Sequence, residues 1–347
     1  MSPSVSPDSG AHWTEPGAWP VADGIHRIPL PLPMDGLRAV NVYVLESEDG
    51  LTLIDGGWAI EVSRRTLEES LRSIGHSLTD IRSFLVTHVH RDHYTQAVAL
   101  RSETGAKVVL GAGERPALEA INDQIAGSVS PFPALLARAG AHDLATQWAA
   151  QREAPTLSNW AHPDSWLEGA QRIDVGERAL DAVPTPGHTQ GHYVFADRTA
   201  GLLFAGDHVL PTITPSIGFE GSVPSEPLGD FLSSLARVRA LPDLRLLPAH
   251  GPVGMSSHER VDELIAHHED RLALCLDALG TGERTAYELA GDLTWTRHEH
   301  HLAELDAFNA GLATMETRIH LLLLIAREQV SVSEVDCQDV YRLVRPD

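Results

Sequence analysis

A chain of 347 residues exceeds the usual size of a single hydrophobic core, so one large domain plus a smaller one is the expectation. Its 43% hydrophobic and 21% charged residues exclude global disorder. With 26 Lys plus Arg against 48 Asp plus Glu, the formal net charge is -22, which works against gripping a phosphate backbone and so against DNA or RNA as a partner.

Residues 1–21 are rich in Ser, Pro and Gly, with no apolar stretch behind a basic end, and read as a disordered leader and not as a secretory signal. Strand-like segments follow at His26–Leu30, Asn41–Leu45 and Leu51–Asp55, separated by short turns such as Asp49-Gly50 that favour antiparallel neighbours. Ile60–Ile74 carries Val62, Leu67, Leu71 and Ile74 at helical spacing. An apolar run, Ile81–Val86, then leads through a His-rich loop into a helix over His93–Ser102. The second half repeats the pattern, with strands at Ala179–Val183, Tyr193–Ala196, Leu202–Ala205 and Leu244–Leu247 and a helix over Leu228–Ala240. Strands in runs with helices between them predict an α/β layered fold.

Two segments stand outside this alternation. Residues 114–170 read as a helical insertion beside the site, a lid carrying Phe132, Trp148, Trp160 and Trp166. Residues 258–347 run helix, helix, helix and short hairpin, the order of a winged helix, and read as a small C-terminal domain following a main domain over 22–257. Cys275 and Cys337 are too few for a disulfide framework and too far apart for a zinc clip. Nothing approaches the roughly 18 to 20 consecutive apolar residues of a bilayer span. The expectation is therefore a cytoplasmic chain with no membrane partner.

The chemistry is concentrated in Thr87-His88-Val89-His90-Arg91-Asp92-His93. His88 and His90 alternate on an extended loop, and Asp92 and His93 arrive at the start of a helix. Four metal-capable side chains thus converge, a donor set that suits zinc and also iron or manganese. Downstream, three strands empty into Gly187-His188-Thr189, Gly206-Asp207-His208 and Ala249-His250-Gly251, so each strand end delivers one more candidate ligand on a short Gly- or Pro-containing loop.

With Asp55-Gly56-Gly57 upstream, this set resembles the metallo-β-lactamase superfamily, especially its hydroxyacylglutathione-hydrolase-like members, over about residues 25–252. The resemblance implies a four-layer αββα sandwich binding two divalent metal ions. One would sit on His88, His90 and His188, the other on Asp92, His93 and His250, with Asp207 bridging. Asp55 would be the buried carboxylate behind the ligands that orients an imidazole. Two cations so close would ionise a bridging water as nucleophile and polarise a carbonyl, which makes hydrolysis the expected reaction and gives Asp92 and Asp207 catalytic roles. His192 and His208 are candidates to protonate a leaving group, although packing behind the ligands is the stronger reading for both.

The chain departs from its relatives in continuing the first motif with Tyr94-Thr95-Gln96, and in having Lys107 as its single lysine, with no basic cluster for glutathione. The second ligand set has no Cys, which speaks against a true β-lactamase. The C-terminal piece resembles the winged-helix-like tail of a branch that includes an RNA-cleaving member. From Glu259 to Asp347, however, eight Arg face eighteen acidic residues, a net charge of -10, so packing or homodimer contact is the better use for it. The run Arg297-His298-Glu299-His300-His301 reads as a solvated helix entrance. The expected substrate is a thioester, ester or lactone with a small, partly hydrophobic acyl group. A metal-dependent endoribonuclease and a mononuclear-iron persulfide-type dioxygenase are the alternatives.

Overall fold

Val, Ile, Leu and Tyr dominate Ala39–Ser47, and seven of its nine residues are buried, the signature of a strand covered on both faces. In the computed structural model, which describes residues 4–33, 36–150, 159–220, 225–280, 282–295 and 299–344, this strand lies inside a seven-stranded sheet. The sheet runs in chain order: β1 (Trp19–Ala22), β2 (Ile25–Pro31), β3 (Ala39–Ser47), β4 (Gly50–Ile54), β5 (Ile81–Leu85), β6 (Lys107–Gly111) and β7 (Ser165–Leu167). β1 to β4 are antiparallel, as their short turns predict. β4 to β7 are parallel, because each connection is long enough to cross back over the sheet face.

The second sheet has the order β12-β11-β10-β9-β8, built from β8 (Gln171–Val175), β9 (Arg178–Pro184), β10 (Tyr193–Asp197), β11 (Leu202–Gly206) and β12 (Arg245–Pro248). Only its last pair is parallel.

Helices fill the crossovers, α1 (Glu61–Ser73), α2 (Arg91–Thr104), α3 (Arg115–Ile125), α4 (Phe132–Arg138), α5 (His142–Ala150) and α6 (Pro227–Arg239), and α7 (Ser257–Leu279), α8 (Ala286–Asp292) and α9 (Ala307–Ala326) follow the last strand of the second sheet. Three apolar clusters define the layers. Tyr43, Ile54 and Leu85 meet Phe195, Phe204 and Leu247 between the sheets. Leu53 and Phe84 meet Leu67, Ala97 and Leu118 on the outer face of the first sheet. Val194 and Leu246 meet Phe231, Leu264 and Ile319 on the outer face of the second. This is the expected αββα sandwich, and each large side chain buried in it stabilises the fold by about 1.5–3 kcal/mol.

The leader is not disordered over its described part. Asp8 forms an ion pair of 2.7 Å with Arg27, both side chains almost wholly buried, and Arg27 also donates to the Trp13 carbonyl at 2.6 Å. Val5 bridges His12, and Trp19–Ala22 adds a strand to the sheet edge. A Ser-, Pro- and Gly-rich composition hid this because one buried charge pair, and not an apolar run, holds the segment down.

The insertion is divided between the two outer layers. Trp160 and Trp166 pack against the first sheet's cluster, and Trp166 belongs to β7, whereas α4 and α5 join the second sheet's cluster. There Trp148 stacks on Phe308 at 5.3 Å and donates from Nε1 to the Ala307 carbonyl, while Phe132 stacks on Phe219 at 4.2 Å. Residues 151–158 of this segment, and Arg297 and His298 of the His-rich run, lie outside the described residues. The C-terminal chain continues the same cluster through α7, α8 and α9 and closes with a hairpin, Val330–Val335 and Gln338–Leu343, to which Arg284–Thr285 pairs.

Candidate metal centre

The ligand-bearing segments all leave the same edge of the sandwich. β5 ends at Leu85 and continues extended through His88 and His90, whose backbone (φ -59, ψ 151) still precedes the helix. Asp92 and His93 follow in the first turn of α2, where the helix N-terminus favours a carboxylate. His188 follows β9, Asp207 follows β11 and His250 follows β12.

Two groups of donor atoms result, His88, His90, His188 and Asp207 in one, Asp92, His93 and His250 in the other. In the first, His88 Nε2 lies 3.0 Å from His90 Nδ1, and His188 Nε2 lies 3.0 Å from His90 Nδ1 and 3.3 Å from His88 Nε2. In the second, His250 Nε2 stands 3.4 Å from Asp92 Oδ2, and His93 Nε2 stands 3.7 Å from the same oxygen. Asp207 lies between them. Its Oδ2 faces His188 at 3.5 Å and His88 at 3.9 Å, and its Oδ1 faces His250 at 3.4 Å and His93 at 3.6 Å.

The ring nitrogens facing away from the cluster are held. His93 Nδ1 donates to Asp55 at 2.9 Å, His250 Nδ1 to the Ala39 carbonyl at 2.7 Å, and His188 Nδ1 to the Ser216 carbonyl at 2.5 Å. His88 Nδ1 meets Thr87 Oγ1 at 3.0 Å. Such outer contacts fix both tautomer and ring orientation. Asp55 sits in the left-handed region (φ 63), at a cost of about 1–2 kcal/mol for a non-glycine residue. It is over-determined there by the Thr87 N–H at 2.7 Å and the Thr87 hydroxyl at 3.0 Å.

Burial and charge divide the two groups. Burial lowers His88 well below the ordinary imidazole range and lowers His188, and burial reinforced by His188 brings His90 to about 3. Burial would also lower His93, but Asp55, Asp92 and Asp207 outweigh it and raise the ring to about 9. His250 is likewise raised, burial being overcome by Asp207 and Asp92. Burial works against both carboxylates, yet the facing histidines hold Asp92 and Asp207 low and ionised. Buried His93 Nε2, His250 Nε2 and Asp207 Oδ1 have no hydrogen-bond partner among the described residues. The neutral imidazoles of the first group, the ionised carboxylates and the orphaned inward atoms fit divalent cations, which would take the place of the protons that the carboxylates hold on His93 and His250.

Neither His192 nor His208 reaches this cluster's open side. His192 is fully buried, with Nδ1 at 2.8 Å from Thr185 Oγ1 and Nε2 accepting from the Asp207 N–H at 3.2 Å. His208 is fully buried against Phe231, 4.9 Å between rings.

Sequence reasoning passed over Glu114, which is fully buried and binds the two histidine loops together. Its carboxyl accepts a hydrogen bond from the Thr189 hydroxyl, and the Val89 and Gly191 N–H groups favour its charged form. The backbones approach so closely that a Cβ on Gly191 would lie 2.2 Å from the Glu114 nitrogen. The signal was available, since Gly111-Ala112-Gly113-Glu114 leaves β6 as the ligand loops leave their strands.

A fold of two sheets under helices with a His/Asp cluster at the strand ends defines a class of metallohydrolase scaffold. Residues 35–250 match the family model of the metallo-beta-lactamase superfamily, and the chain belongs to that superfamily. It is 25% identical to the probable metallo-hydrolase YqjP of Bacillus subtilis over 88% of this chain and 92% of that one. It is 24% identical to the acyl-coenzyme A thioesterase MBLAC2 of Gallus gallus over 80% of this chain and 95% of that one. Among solved structures, a metallo-beta-lactamase family protein from Thermus thermophilus superposes with a TM-score of 0.73 at 27% identity, covering 94% of this chain and all (100%) of the other. A beta-lactamase domain protein from Burkholderia ambifaria gives 0.78 at 24% identity, covering 98% and 97%.

Proposed function

We propose that this metallo-hydrolase is binuclear and cleaves a thioester, ester or lactone of a small, partly hydrophobic acyl substrate. The observation that carries the reading is Asp207, whose two carboxylate oxygens each face a different group of histidines. His88, His90 and His188 would hold one divalent ion, and Asp92, His93 and His250 the other. Zinc suits the donors, and iron or manganese would fit them too. Two such ions supply an acidified water and a Lewis acid for a carbonyl oxygen.

The chain's own residues supply position and proton traffic. Asp55 fixes His93 with Nε2 inward, while the Ala39 and Ser216 carbonyls do the same for His250 and His188. Asp92, ionised and only partly buried, is placed to orient the attacking water and take up its proton. Because His192 and His208 are enclosed, the leaving group takes its proton from solvent or through Asp92. The thioester option is supported by the likeness to a thioesterase over most of both chains. The hydroxyacylglutathione-hydrolase-like branch rests on the sequence motifs.

Bound metals should be counted by mass spectrometry, and the same sample tested on thioester, ester, lactone and phosphodiester panels. We expect two equivalents and turnover confined to acyl substrates. Asp207→Ala should lose at least one equivalent and nearly all turnover; unchanged metal content and rate would sink the assignment. Phosphodiester cleavage alone, or oxygen consumption with one bound iron, would replace it with one of the two alternatives.

A further inference from the structure

Beside His250 opens a cavity of about 270 Å³ whose far wall is the N-terminal segment, through His12 and Trp13, and whose near wall is Leu37, Arg38 and Ile213. From this geometry we infer that the cavity is a subsite for the arm of the substrate projecting past His250, and that it takes an anionic carboxylate or phosphate group carried next to apolar or aromatic surface. The proposal deepens the hydrolase reading and rests on it for its kinetic arm.

Several observations converge. Arg38 is exposed at the cavity, and its guanidinium has no carboxylate partner among the described residues, in a chain where acidic residues outnumber basic ones by 48 to 26. Its backbone lies in the left-handed region (φ 67), which a non-glycine residue adopts uncommonly. The next residue, Ala39, accepts the His250 Nδ1 hydrogen, so Arg38 is coupled through one peptide to the candidate ligand. The opposite wall is rigid: Arg27 binds both the Trp13 carbonyl and the buried Asp8. In that wall His12 is held by Thr14, its Nδ1 lying 2.8 Å from the Thr14 hydroxyl and 3.3 Å from the Thr14 backbone nitrogen. Trp13, Leu37 and Ile213 supply the apolar surface.

The test begins with binding, measured by calorimetry on the protein as isolated with phenylacetate, phenyl phosphate and the neutral benzyl alcohol. Both anions should bind about tenfold or more tighter to wild type than to Arg38→Gly, the size of one lost charge-assisted contact, with the alcohol alike for both proteins. Phenylacetate and phenyl phosphate separate a carboxylate from a phosphate requirement. Arg38→Gly should melt no lower than wild type, because glycine accepts that φ without strain, and Arg38→Lys should recover part of the affinity. The second measurement compares kcat/KM for thioesters sharing one acyl group, with neutral or carboxylate-bearing leaving thiols. The preference for the anionic member should be lost in Arg38→Gly through KM, and reversed in Arg38→Glu. Anion binding indifferent to Arg38 overturns the subsite. Arg38-dependent binding without hydrolysis of any thioester, ester or lactone overturns the acyl-hydrolase reading and leaves the subsite standing.

Discussion

A carboxyl group buried without a cation must be stabilised by donors, and at Glu114 those donors come from both histidine loops. Burial lifts its pKa to about 8, and Glu220, raised to about 9 by burial and by Glu114, lies close by. Burial thus favours the uncharged form of Glu114, and its isosteric replacement is glutamine. Glu114→Ala should weaken metal retention about 10- to 100-fold in a chelator competition, the range for losing a group that orients ligands, and Glu114→Gln should restore most of it. Equal losses in both variants would mean that Glu114 merely fills space. The ligands themselves were legible one by one, because His88, His90, Asp92 and His93 share a short motif and His188, Asp207 and His250 each follow a strand end. Glu114 was passed over: the Gly-containing turn after β6 marks a strand end, but a lone carboxylate there lacks the motif spacing that drew attention to the histidines. The Ala39 and Ser216 carbonyls carried no signal at all, because every residue has one.

Between α7 and α9 lies a second histidine pair, His268 Nδ1 at 3.2 Å from His320 Nε2, both 1% exposed. Burial, with the neighbouring imidazole, lowers His268 to about 2, and burial lowers His320 to about 4. In the unfolded chain each titrates near 6.5. Below that pH the unfolded state binds protons the native state refuses, so stability is complete above about 6.5 and is lost as pH falls toward about 4 and then 2. Urea unfolding at pH 7 and pH 5 should reveal this, with His320→Gln flattening the slope by up to about 1.4 kcal/mol per pH unit; an unaltered slope would refute it. The helical period of residues 60–74 and 228–240 was readable from spacing alone. The edge strands β1, β7 and β8 were not, being short and mixed in polarity, with their neighbours supplying the pairing.

At the scale of the whole molecule, one polar network joins the N-terminal segment to both sheets. Asp8 pairs with Arg27, Arg27 donates to Asn41 Oδ1 at 2.9 Å, and Asn41 Nδ2 donates to the Pro248 and Gly251 carbonyls at 3.0 and 2.9 Å, on either side of His250. Asp8→Ala leaves a buried guanidinium uncompensated and should cost about 3–5 kcal/mol in chemical denaturation. It should also reduce metal retention, because the loop carrying His250 loses its anchor; a loss under about 1 kcal/mol would show that the segment is only draped on the sheet. No helix among the described residues is long and apolar enough to cross a membrane. What the amino-acid sequence determined by itself was local: alternating apolar strands, helical periods and the residue types at each strand end. Only the tertiary structure decided that His88 meets His188 across 100 positions, that Asp207 turns one oxygen to each group, and that the N-terminal segment walls a cavity. Such contacts depend on how two twisted sheets pack, and a packing between distant segments leaves no periodicity in either of them.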